Sequence, residues 1–158
     1  MDGQVEMLRH TVATLAYRGG KALRGAPETF SAFRAAEGTR TPGEILAHIS
    51  DLLDWAISLA NGAQKWQNSA ILPWNSAILR FFSALEAFDA RLASPEPLRC
   101  SPEQLFQGPV ADALTHVGQI NLLRRMAGAP IKGENYFKAA IQTGTVGSQQ
   151  PPPRVEFD

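Results

Sequence analysis

Hydrophobic positions recur every three to four residues in four stretches of the chain, the spacing of one buried helix face. Val5, Leu8, Val12, Leu15 and Ala16 predict a first helix from Gln4 to about Arg18, with Gly19-Gly20 weakening or ending it. The second stripe, Ile45, Ile49, Leu52, Leu53, Ala56 and Ala60, carries the clearest punctuation. In "TPGE", Thr41 suits the cap, Pro42 the first helical position and Glu44 the closing position of a capping box, while Asn61-Gly62 supplies a stop. A third stripe, Ile78, Phe81, Phe82, Leu85, Phe88 and Leu92, follows Pro73 and ends at "SPEP". The fourth pattern runs from about Pro109 to Ala127 and stops at Gly128 and Pro130.

Shorter signals fill the gaps. "APETFSAFRAAEG" predicts a short helix between Pro27 and Gly38. Ser101-Pro102-Glu103-Gln104 is a second capping box, opening a short turn that Gly108-Pro109 interrupts. Residues 129–158, with "GTVGSQQPPPR", read as a Gly- and Pro-rich tail, extended or briefly helical, packed on the rest. Four long helical patterns without a convincing strand pair predict an all-α fold: one four-helix-bundle domain over residues 1–158 with an extended C-terminal tail.

The fourth helix raises a chemical question. At about 100° per residue, Asp112, His116, Gln119, Ile120 and Leu123 share one sector, so a carboxylate and an imidazole fall on the face expected to be buried. An unpaired buried carboxylate costs several kcal/mol, so a metal ion, a partner cation or local water must compensate. Residues at i and i+4 project side by side, and Asp112 and His116 can share one ion. His48 borders the inner face of the second helix, next to Trp55, and is the natural third ligand. One carboxylate and two imidazoles suit zinc, nickel, iron(II) or manganese, and three ligands leave positions open for water or substrate. The same spacing also suits a structural Asp112–His116 ion pair, and a histidine on an apolar face is commonly a hydrogen-bonded core residue.

Composition narrows the function classes. Apolar residues make up 44% of the 158, enough for a core without the long run of a membrane span. Lysine plus arginine and aspartate plus glutamate number 15 each, which removes the electrostatic footprint of nucleic-acid binding. The lone Cys100 excludes an internal disulfide framework and, with a polar N-terminal "MDGQVEMLRH", predicts a cytoplasmic protein. "EILAH" is Glu-x-x-x-His and occurs once, so the paired Glu-x-x-His pattern of di-iron bundles is missing, as are phosphate-loop and nucleophile-elbow motifs. His10 falls away from the first stripe and reads as a surface residue, and Arg124-Arg125 as a solvated pair favoured by the helix dipole. Trp55, Trp66 and Trp74 are packing residues that could also line the mouth of a pocket.

"TPGEILAHISDLLDW" and "ADALTHVGQINLLRRMAG" resemble the two signature helices of the DinB-like (damage-inducible B, YfiT-like) superfamily, over about residues 1–130. The resemblance implies a four-helix bundle with a metal triad: one histidine from the second helix and two from an H-x-x-x-H-R-G-Q-I type motif on the last long helix. His48 matches the first position and "HVGQI", His116 to Ile120, the end of the second motif. Asp112 stands where the first histidine of that pair is usual, and Val117 where arginine is common. The resemblance further implies a metal-dependent enzyme, a thiol-dependent transferase or isomerase or a hydrolase, acting on a small molecule, with a low-molecular-weight thiol as possible cofactor and a homodimeric assembly. Trp55 and Gln119 are then candidate pocket or supporting residues. The competing expectation is a non-catalytic helical bundle, its inner polar groups closed into a hydrogen-bond network, that serves oligomerisation or partner binding.

Overall fold

The computed structural model describes residues 2–157 and is all-α apart from one two-stranded pairing. Helix α1 spans Gly3–Leu23, α2 Pro42–Ala60, α3 Trp74–Ala93, α4 Pro102–Leu105 and α5 Ala111–Met126. Short 3-10 turns lie at Glu28–Ala32 and Tyr136–Lys138. Helix α2 packs on α3 and α5, and α1 packs on the same two neighbours. Phe81, Phe88, Leu15, Ile49, Leu53, Leu85 and Ile120 fill the space between them, all less than 2% exposed. No helix among the described residues is long and apolar enough to cross a membrane.

The start of α2 follows from its local sequence. Thr41 Oγ1 accepts from the Glu44 amide (3.2 Å) and Glu44 Oε2 accepts from the Thr41 amide (3.0 Å), so two of the helix's unpaired N–H groups are satisfied reciprocally. Asn61 is the C-cap, and Gly62 takes φ +71°, where a side chain would be strained.

Three local expectations differ from the structure. Gly19-Gly20 do not end α1, which continues to Leu23. They serve close approach instead: a Cβ on Gly19 would lie 2.6 Å from Cζ of Phe81, and one on Gly20 3.3 Å from Cζ of Phe82. Gly108-Pro109 do not interrupt the chain's helical course either. Phe106–Val110 form a π turn that joins α4 to α5, and its wider ring accommodates a proline that lacks an N–H and would crowd an α turn. In the predicted Pro27–Gly38 helix only Glu28–Ala32 is helical, as a 3-10 turn.

Residues beyond α5 are more ordered than a tail. β1 (Gly133–Glu134) pairs antiparallel with β2 (Glu156–Phe157). The Glu134 carboxylate, fully buried, accepts from the Tyr17 hydroxyl (2.5 Å) and from Lys21 Nζ (2.7 Å), and Lys21 also reaches Glu156 at 2.9 Å. Val146 is buried in the core. Arg124 is likewise no solvated partner of Arg125: it is 5% exposed, and its guanidinium donates to the carbonyls of Ala22, Arg24 and Ala129. Those carbonyls include the C-terminal end of α1, where a cation is favoured. His10 is exposed, as its position off the stripe predicts.

Gly19→Ala is expected to destabilise the protein. Overpacking costs about 1–3 kcal/mol, and the helix-propensity gain of about 1 kcal/mol offsets only part of it, because the Phe81 ring is fully buried. Gly118→Ala, on an exposed stretch of α5 where an added Cβ meets nothing within 4 Å, should instead gain about 0.5–1 kcal/mol. Urea unfolding of the two variants gives opposite shifts of midpoint if the α1–α3 contact is the reason for Gly19.

Candidate metal centre

Two helices and one loop build the site. α5 contributes Asp112, His116 and Gln119 on successive turns of one face. α2 contributes His48 and Trp55. The segment between α2 and α3 contributes Trp66, and this segment is fastened by Asp51. That buried carboxylate accepts from the Ser69 amide (2.9 Å), the Ser69 hydroxyl (2.6 Å) and Arg80 (2.7 Å). Burial pushes the Asp51 carboxyl up, but the Ser69 and Arg80 contacts outweigh it and hold the group below the usual aspartate value.

His48, Asp112 and His116 converge, each offering one ligand atom with all three atoms within 4.8 Å of one another. Asp112 Oδ2 lies 3.5 Å from His48 Nε2, and Asp112 Oδ1 lies 3.4 Å from His116 Nε2. The two imidazoles meet edge to face, with centroids 4.8 Å apart. Zinc with ligand bonds of about 2.0–2.1 Å in a tetrahedron places its donor atoms about 3.3 Å apart; each Asp112 oxygen stands at about that spacing from one imidazole, while the 4.8 Å spread of the three ligand atoms is wider, so the side chains must draw together to share one ion. His116 Nδ1 is 2.7 Å from Gln119 Oε1. With that oxygen accepting, Nδ1 carries the proton and Nε2 presents its lone pair towards Asp112, the outer-shell arrangement that orients metal-binding histidines.

The triad sits at the margin of the core, not within it. Helix α5 buries Ala113, Val117, Ile120, Leu123 and Arg124, a stripe one position round from the one centred on Asp112. The Asp112 side chain keeps 47% of its surface exposed, against 22% for His48 and 12% for His116. The expected burial of the carboxylate is therefore corrected: Val117 points inward and Asp112 lies at the rim, where water meets part of its solvation demand.

Burial lowers the His48 imidazole below its ordinary value, and the positive fields of His116 and Arg40 add to it, while Asp112 opposes. A neutral imidazole is the form that ligates metal. Trp66 packs edge to face with His48 and with Trp55, ring centroids 5.6 and 5.8 Å apart, on one side of the imidazole. The Trp55 indole N–H is buried with no partner among the described residues. Trp74 lies elsewhere, buried against Phe30 at the start of α3. Cys100 is outside the triad, and burial, countered in part by Arg91, pushes its thiol up, away from a reactive thiolate.

Open cavities lie beside the triad. One of about 380 Å³ is bounded by Leu52, Trp55, Gly108, Asp112 and Thr115. A larger one, about 570 Å³, is bounded by His116, Gln119, Arg40, Ile45 and Met126. Arg40, one residue before the α2 cap, had no signal in the sequence, since neither periodicity nor a motif marks it. Comparison with protein-family models, curated proteins and solved structures returns no match.

The His48 shift has a defined consequence for stability. A folded-state value below the unfolded one means that the folded protein resists protonation at this site. Stability from this group is full above the unfolded value of 6.5 and falls as pH drops towards the folded value. In metal-free protein, His48→Gln should flatten the dependence of the urea midpoint on pH between about pH 7 and pH 5. An unchanged slope would show that His48 titrates alike in both states.

Proposed function

We propose that this chain is a DinB-like four-helix-bundle protein in which His48, Asp112 and His116 bind one divalent metal ion. We propose further that this centre is the active site of a cytoplasmic enzyme, a hydrolase or a thiol-dependent transferase or isomerase acting on a small molecule. The observation that carries the reading is the convergence of three ligand-type side chains from two helices, with the carboxylate 3.4 and 3.5 Å from the two imidazole nitrogens. The closed pattern of contacts between α1, α2, α3 and α5 supports the bundle assignment.

A bound divalent ion would supply Lewis acidity and lower the pKa of a water or thiol presented to it. The chain's own residues perform the remaining tasks. His48 and His116 offer ring nitrogens, and Gln119, with its side-chain oxygen accepting from Nδ1, would hold His116 in the tautomer that leaves Nε2 free to ligate. Asp112 supplies the negative charge and, as an oxygen donor, admits manganese or iron(II) as well as zinc or nickel. Trp66 packs on His48 and is itself backed by Trp55, which holds the imidazole in place from that side. The raised Cys100 thiol lies outside this set, so a thiol reaction requires a low-molecular-weight thiol from solution.

One observation favours a second reading. Each Asp112 oxygen already faces an imidazole, as in a metal-free ion pair. That arrangement fits a non-catalytic bundle serving oligomerisation or partner binding.

The two readings separate experimentally. Protein purified without chelator or affinity resin and reconstituted with zinc, nickel, manganese or iron(II) should retain about one ion per chain by elemental analysis. Metal at a hundred times its Kd should stabilise the wild type by about 2.7 kcal/mol. His48→Ala, Asp112→Asn and His116→Ala should each lose most of that gain, because two ligands hold an ion poorly. Under the ion-pair reading the Asp112 and His116 variants are destabilised with or without chelator, and metal shifts no melting curve. A full metal response in His48→Ala rules out the triad.

The same proposal includes a symmetric homodimer, the commonest closed assembly. Met7 and Phe106, 66% and 48% exposed, line an apolar groove of about 700 Å³ between α1 and the α4 region, a surface suited to a second copy. Light scattering should return twice the chain mass. Monomer mass at every accessible concentration refutes the dimer.

A further inference from the structure

We propose that the groove beside His116 binds an amphipathic organic carboxylate, with Arg40 recognising the acid and the α2–α5 surface holding its apolar body. As a statement about substrate class, this rests on the metal-centre reading above; as a binding site, it stands on the groove alone.

The groove has the three parts that such a molecule needs. Its floor is apolar and fixed: Ile45 is 3% exposed and Leu123 7%. Its wall is apolar and open: Leu122 and Met126, on α5, are 58% and 53% exposed. Large side chains left in water beside a floor of this kind gain from a ligand that covers them. The volume of about 570 Å³ lies in the range of small-molecule pockets.

Charge decides the class. Arg40 lines the groove and has no ion-pair or hydrogen-bond partner among the described residues. Its neighbours in sequence are matched. Arg34 reaches Glu44 and the Thr39 carbonyl, and Glu44 is further engaged at the α2 cap. The acid nearest the start of α2 is therefore occupied, and one guanidinium remains for an external anion. Arginine's planar fork matches a carboxylate in two parallel hydrogen bonds. The larger groove beside Met7 offers no such cation: Gln4 and Glu103 line it, hydrogen-bonded to each other at 2.6 Å. His116 and Gln119 border the Arg40 groove. A molecule anchored by its acid at Arg40 and lying along the floor therefore presents its remaining length beside the triad.

Phenylbutyrate and its neutral counterpart phenylbutanamide test the assignment, titrated by calorimetry into chelator-treated and zinc-reconstituted full-length protein. Wild type should bind the acid about tenfold more tightly than the amide in both forms, a difference of about 1.4 kcal/mol. Arg40→Met, a change at an exposed position, should abolish that preference by weakening the acid far more than the amide, with zinc stoichiometry unchanged. Leu122→Ser should weaken both ligands. Equal affinities in wild type, a preference that survives in Arg40→Met, or no binding of either compound overturns the proposal. A preference that requires zinc and ignores Arg40 places the carboxylate on the metal, which overturns the groove and upholds the metal centre. An Arg40-dependent preference in protein that retains no zinc upholds the groove and removes the metal centre.

Discussion

The buried face of α2 is the constraint from which the remaining arrangement follows. Ile45, Leu46, Ile49, Leu52 and Leu53 are each at most 3% exposed, so this helix must be covered from more than one side. α3 and α5 supply the cover, and α1 packs against both. Burying these five side chains is worth on the order of 10 kcal/mol, at about 1.5–3 kcal/mol each, before the cost of ordering the chain. That scale exceeds any local preference along the loops, so loops and polar groups adapt to α2. His48 lies at the edge of this face and is held in place by the same packing.

Polar groups then do two distinct kinds of work. Asp51, Glu134 and Arg124 are buried and matched, and each joins segments that hydrophobic contact alone would leave loose. Asp51 ties the loop carrying Trp66 to α2 and α3, Glu134 ties the C-terminal segment to α1, and Arg124 ties α5 to the end of α1. Buried charges of this kind are tolerated because their hydrogen bonds are met. Asp112, His116 and His48 differ: their mutual contacts are longer, and Asp112 remains half exposed. Groups that are near each other yet incompletely satisfied, beside open cavities, are where an ion or ligand has most to gain.

The π turn at Phe106–Val110 links these two themes. A single wide turn rotates α5 relative to α4, and so decides which side of α5 faces α2. With it, Ala113, Val117 and Ile120 enter the core and the Asp112–His116 edge is left facing His48 and the cavities. Gly108 in this turn lies beside Trp55, 4.0 Å from where its Cβ would be, so the turn also borders the smaller cavity.

The sequence by itself determined the helices, because their signals are local. Periodic apolar positions, the Thr41 and Ser101 capping boxes and the Asn61-Gly62 stop act within a few residues, and the structure has each of them. It also singled out His48, Asp112, His116, Trp55 and Gln119, since i, i+4 spacing and helix faces are readable from one chain. Tertiary structure alone decided the rest. Whether Gly19-Gly20 break a helix or admit a ring depends on Phe81 and Phe82, which come from α3. The pairing of residues 133–134 with 156–157 is set by the Glu134 contacts to α1, beyond the reach of a local pattern. Arg124 looks solvated in sequence because its carbonyl partners on α1 lie about a hundred positions away. Arg40 is silent for the same reason: an exposed arginine acquires meaning only when packing sets it beside an apolar groove and leaves it without an acid.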